Sequence, residues 1–170
     1  MSLGRGALYR YIGSKGNSLF EVQNRVLEPL LARAHEIRAA DLDAVSRLRL
    51  ISRVLLSIMT EMLDHVWVYQ HDYRSLTGAA RTRMISQRHE FENIVQDVAM
   101  AAIDAGQFRQ QDARLVMLQF LNMHNYTYQW WRPSLGLSSD ELSDLYCRTL
   151  FEGFAPRDPP AARLRSERHS

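Results

Sequence analysis

A single cysteine, Cys147, leaves this chain without an internal disulfide and fits a reducing compartment. The N-terminus has no apolar signal region, and no run approaches the ~18 apolar residues of a membrane span. These absences read as a cytoplasmic protein with no membrane partner. Net charge is only +2, so affinity for nucleic acid has no support in bulk charge and needs a local patch. No glycine-rich phosphate loop follows a strand pattern, and there is no nucleophile elbow. His65 and His71 are six apart and point in different directions on a helix, while His71-Asp72 has no third partner at ligand spacing. Cys147 lies in a helical apolar pattern, where a buried, inert thiol is expected. The expectation is a protein that is not an enzyme, with no catalytic residue, metal or cofactor.

What is present is an ordinary globular balance, 46% hydrophobic and 24% charged over 170 residues, enough for one domain or one domain plus a remnant. Of the 21 basic residues only Lys15 is a lysine. It sits in a one-sided stretch: Met1 to Phe20 holds three bases, Arg5, Arg10 and Lys15, and no acid. Tyr9 and Tyr11 lie between them. Arginine, lysine and tyrosine hydroxyls grip phosphates, and arginine also reads guanine through paired hydrogen bonds. Leu8 and Ile12 share one face of a short helix, Gly13 can close it, and Ser14 can cap the next.

The run Gly6-Ala7-Leu8-Tyr9-Arg10-Tyr11-Ile12-Gly13-Ser14-Lys15 closely resembles the recognition helix and following turn of TetR-family transcriptional repressors. Leu8, Tyr9, Tyr11, Ile12, Ser14, Lys15 and Leu19 match that family's pattern, seven matches over twelve positions. Gly16 and Asn17 depart from it, and a Glu at Asn17 would have completed a capping box with Ser14. The resemblance implies that Arg5, Gly6 and Arg10 face bases and that Tyr9, Tyr11 and Lys15 hold phosphates. Family members carry two helices before this point, and this chain opens almost at the recognition helix. The expectation is an N-terminally truncated head that binds operator DNA poorly as given, since a recognition helix needs the preceding helix to seat it.

Beyond the motif, apolar spacing predicts helices over 17–38, 43–65, 79–105, 112–131 and from Ser138 to about Phe154. Pro29 should kink the first of these or end it near Glu28. Asp41 or Asp43, Asp112 and the Ser138–Glu141 capping box mark helix starts, and Gly106 marks an end. The 43–65 helix is apolar around much of its circumference and should be buried. Residues 66–76 mix rings, amides and a guanidinium, as a small-molecule pocket does and, equally, a surface helix with amphipathic aromatics. The candidate ligand-binding residues are Met59, Met62, Trp67, Gln70, Tyr73, Arg74, His89, Asn125 and Tyr128. For most of the methionines plain core is the better reading. Arg74, Arg81, Arg88 and Arg132 are four candidates to meet an anionic ligand.

The fold class expected is all-α and TetR-like: a remnant helix-turn-helix head over 1–38, a ligand-binding and dimerisation body over 39–155, and a disordered tail over 156–170. The resemblance implies a homodimer through the last two helices. The Trp-Arg-Pro turn followed by Leu-Ser-x-Glu-Leu is loosely similar to the TetR subgroup controlling fatty-acid and sterol catabolism. That likeness implies an acyl-coenzyme A thioester, or another apolar or anionic small molecule, as effector. The function expected is a ligand-responsive transcriptional regulator, a repressor in sense, with operator DNA and a small-molecule effector as partners. A helical homodimer that binds a small molecule and no DNA remains the alternative.

Overall fold

A computed structural model of the chain describes residues 16–155 apart from 73 and 75. The described residues form seven α-helices and one 3-10 turn, with no strand among them. The expected tail over 156–170 lies outside the described residues.

Helix α1 spans Gly16–Ala39 and runs unbroken past Pro29, so the boundary expected near Glu28 is absent. Val26 and Leu27 before the proline, and Leu30, Leu31, Ala34 and Ile37 after it, are all buried. That stripe packs on the body on both sides of Pro29 and outweighs the one backbone hydrogen bond the ring removes.

Helix α2 spans Ala44–Glu61. Its N-cap is Asp43, whose carboxylate accepts the Ser46 N–H at 3.0 Å and a Gln107 amide N–H at 2.8 Å. Together with the Ser46 hydroxyl, these donors hold the Asp43 carboxyl down at about 2. Leu48, Ile51, Leu55, Leu56 and Met59 are buried, so the wide apolar circumference does lie inside the bundle. The helix expected to reach residue 65 ends at Met62, and α3, Leu63–Asp72, starts at once.

Helix α4, Gly78–Asp104, ends in a Schellman motif. The Gln107 N–H reaches the Ala102 carbonyl at 2.9 Å and the Gly106 N–H reaches Ile103 at 3.0 Å. Gly106 takes φ +70°, a left-handed conformation that disfavours any side chain. The chain then turns Phe108 inward, where it packs against Phe151 and Phe154.

Helix α5 spans Ala113–Asn125, capped by Asp112. The helix expected to continue to residue 131 breaks at Tyr126 into a single turn, α6, Thr127–Trp130. A 3-10 turn at Pro133–Leu135 follows. Helix α7, Ser139–Phe154, starts with the reciprocal Ser138–Glu141 capping box.

Helices α1, α2, α4, α5 and α7 share one core cluster built around residues such as Leu48, Ile51, Ile94, Val98 and Phe120. Across the outer surface, Glu28 pairs with Arg83 at 2.9 Å and His35 with Glu90 at 2.6 Å, both at a sequence offset of 55. The constant offset means that α1 and α4 run parallel. These pairs are exposed and contribute little each. No helix among the described residues is long and apolar enough to cross a membrane.

Candidate functional site

A narrow cleft lies where five helices face one another. Each helix contributes residues three or four apart, the spacing that places side chains on one face. Helix α1 supplies Val26, Leu27 and Leu30; α2 supplies Leu55, Ile58 and Met59; α3 supplies Val66 and Gln70. Helix α4 adds Arg88, Phe91 and Glu92, and α5 adds Leu121 and Asn125. The cleft is narrow, with a free volume of about 50 Å³.

Burial divides this lining in two. The apolar residues, Ile58 apart, are buried, whereas Gln70, Arg88, Glu92 and Asn125 are half-exposed. The polar groups therefore mark the mouth and the apolar groups the interior. An apolar slot with a few convergent polar groups is the usual form of a small-molecule site.

The structure brings three of the sequence candidates to this cleft: Met59, Gln70 and Asn125. It also brings Arg88, one of the four arginines considered for an anionic ligand. The other candidates lie elsewhere. Met62 is half-buried against a neighbouring cluster with Leu56 and Val66. Trp67 packs toward Leu27, Val68, Leu76 and Met84, and its ring stacks on His71 at 4.0 Å between centroids. Tyr128 packs near Trp131 and Tyr146, with its ring edge-on to His71. Arg74 and Arg81 are exposed. Arg132 donates to the Trp131 and Gln129 carbonyls in the turn after α6. His89 does not face the interior: burial of Phe91 and Val95 fixes the inward face of α4, and His89 falls on the exposed face with Asn93 and Asp97. Tyr73 lies outside the described residues, as do Arg5, Gly6, Tyr9, Arg10, Tyr11 and Lys15.

A second polar feature is wholly interior. Ser52 on α2, His124 on α5 and Ser143 on α7 are buried together. His124 Nδ1 lies 2.7 Å from the Phe120 carbonyl, which only accepts, so this nitrogen carries the proton. Nε2 must then accept from the Ser52 hydroxyl at 2.7 Å, and the Ser52 oxygen in turn accepts from Ser143 at 2.7 Å. Burial pushes the His124 imidazole down to about 4, so it stays neutral at physiological pH. Tyr146 extends the polar seam by donating to Thr127 at 2.8 Å, while Thr127 donates to the Met123 carbonyl. Cys147 is buried beside Ser52 and Ser143, and burial raises its thiol pKa. A raised thiol pKa opposes the thiolate form that nucleophilic cysteines need.

On the outside of the bundle, Leu115, Leu118 and Tyr126 follow one stripe along α5 and its end, and Leu145 stands on α7. These large apolar groups are exposed in the single chain. Among the described residues, no group of three or more His, Cys, Asp or Glu is placed to hold a metal ion.

A helical body with a narrow slot among its helices and apolar residues exposed on its last long helices is the architecture of a known regulator class. Residues 41–154 match the family model described as "Tetracyclin repressor-like, C-terminal domain". The chain belongs to this family and is a TetR-family regulator. No curated protein matches it. Several solved structures share the fold. The TetR-family regulator PfmR from Thermus thermophilus is 22% identical, with a TM-score of 0.77 over 92% of this chain and 84% of that one. The ketosteroid transcriptional regulator KstR2 of Mycobacterium tuberculosis is 21% identical, with a TM-score of 0.79 over 89% and 79%. AibR, solved in complex with isovaleryl coenzyme A and operator DNA, is 22% identical, with a TM-score of 0.71 over 86% and 80%. At these identities the likeness establishes the shared all-α fold.

Proposed function

We propose that this protein is a cytoplasmic, homodimeric transcriptional repressor whose DNA affinity is set by a small molecule held in the five-helix cleft. The observation that carries the reading is the composition of that cleft. Helix α1, which leads from the basic N-terminal motif, lines it with Val26, Leu27 and Leu30 beside residues of four body helices. A molecule wedged there must push on α1, so occupancy and head position are linked. The acyl-coenzyme A class of effector draws support from AibR, whose structure holds isovaleryl coenzyme A. The exposed Leu115, Leu118 and Leu145 support a dimer formed through α5 and α7.

Operator contact falls to Arg5, Gly6, Tyr9, Arg10, Tyr11 and Lys15. The test uses the product of the whole reading frame and fluorescence anisotropy of a labelled DNA fragment from upstream of its gene. Binding should weaken steeply with salt, and octanoyl-coenzyme A should release the DNA. Replacing Lys15 with alanine should lower the salt slope by about one. DNA affinity indifferent to every acyl-coenzyme A tried, from isovaleryl to decanoyl, would remove the effector class. Absence of specific DNA binding would remove the repressor reading.

A further inference from the structure

We propose that Ser52, His124 and Ser143 brace one side of the cleft, so that a molecule entering it displaces α1 instead of parting α2 from α5. They act as positioning residues for the response, and the inference rests on the cleft being the effector site.

The brace stands next to the lining. Leu55 follows Ser52 by three residues on α2, and Leu121 precedes His124 by three on α5, so each relay residue shares a face with a cleft residue one turn away. Ser52 donates to His124 Nε2 at 2.7 Å across the same pair of helices that forms this side of the cleft. Ser143 carries the chain of bonds on to α7, also at 2.7 Å. The imidazole cannot swing to follow a moving helix. Its Nδ1 is fixed on the Phe120 carbonyl of its own helix, and the Phe120 and Tyr146 rings lie at 4.2 and 5.2 Å from it between centroids. The three residues are at most 1% exposed, too enclosed for solvent to replace a bond that breaks. Parting α2 from α5 therefore strands the Nε2 acceptor at the full cost of its lost hydration.

Helix α1 yields more readily. Its cleft residues Val26, Leu27 and Leu30 make apolar contacts, which have no preferred direction and survive sliding. The Glu28–Arg83 and His35–Glu90 pairs between α1 and α4 are exposed, and their groups regain water as they separate. An occupant thus directs its push onto α1, the helix that leads to the basic motif.

The test uses the product of the whole reading frame and the DNA fragment from upstream of its gene. Calorimetry gives the affinity for octanoyl-coenzyme A. Anisotropy gives the release factor, the ratio of DNA affinities without and with saturating octanoyl-coenzyme A. Ser52→Ala removes both cross-helix bonds at the loss of one oxygen atom. It should leave octanoyl-coenzyme A affinity within about threefold, yet cut the release factor about fivefold. His124→Gln keeps an acceptor for Ser52 and a donor for the Phe120 carbonyl, and should hold the release factor within about twofold of the unaltered chain. A release factor unchanged in Ser52→Ala, or reduced equally by His124→Gln, overturns the brace and leaves the cleft reading standing. So does a loss of octanoyl-coenzyme A affinity larger than the loss of release. Should Ser52→Ala not fold, Ser143→Ala, which removes the α7 bond alone, should lower the factor about threefold, and an unchanged factor is then the refuting result. An unaltered chain that binds no octanoyl-coenzyme A, or that binds it and keeps its DNA, overturns the cleft reading itself.

Discussion

Acidification should unfold this protein partly through one residue, His124. The imidazole is buried with Ser52 and Ser143, and its pKa sits at about 4 in the folded chain against 6.5 for an ordinary histidine. At neutral pH the ring is uncharged in both folded and unfolded chains, and the hydrogen-bonded relay contributes in full. As pH falls below 6.5, the unfolded chain takes up a proton that the folded chain refuses. Stability therefore drops with falling pH, and the loss is complete once pH passes below about 4. From pH 7 to pH 4.5 this group alone should cost roughly 2.5 kcal/mol, from the depth of the shift. Glutamine at position 124 keeps an acceptor for Ser52 and a donor for the Phe120 carbonyl, but it does not titrate. Urea unfolding at both pH values, at one protein concentration, gives the pH loss for each protein. Carboxylates titrate in both and cancel in the difference. The unaltered chain should lose roughly 2.5 kcal/mol more than His124→Gln over this interval. Equal losses would show that His124 is not held neutral by its surroundings.

Two further outcomes follow from packing. Phe108 is buried against Phe151 and Phe154, where the chain folds back after Gly106. Phe108→Ala should cost about 3–5 kcal/mol in urea unfolding, and a cost below about 1 kcal/mol would mean that this corner is loosely packed. Leu118→Glu combined with Leu145→Glu should turn a dimer into a monomer in sedimentation velocity while leaving helix content unchanged. A persistent dimer would place the interface elsewhere.

The features legible in the sequence were those that act over a few residues. Asp43, Asp112 and the Ser138–Glu141 box cap helices through bonds to the next turn, so spacing alone exposes them. Gly106 was visible for the same reason. Pro29 misled because its local cost is plain, while the buried stripe that outweighs it becomes apparent only against the body. The breaks at Met62 and Tyr126 were hidden because apolar residues continue across both.

The candidate site was legible in part. Met59, Gln70 and Asn125 lie on helix faces that meet in the cleft, but neighbours equally mixed in character, such as Trp67 and His89, turn to other surfaces. Glu92 was missed because a charged residue at a half-buried mouth carries the signature of a surface stripe. The relay escaped entirely, since its hydrogen bonds join residues 72 and 91 positions apart. The one available signal was His124 itself, four residues after Phe120 on a buried apolar face.

Hydrogen–deuterium exchange of the chain with and without octanoyl-coenzyme A tests most directly whether the cleft is the effector site. The effector should slow exchange together in the stretches 26–30, 55–59, 66–70, 88–92 and 121–125, one on each helix that lines the cleft. Unchanged exchange, or protection confined to the outer faces of α5 and α7, would contradict it.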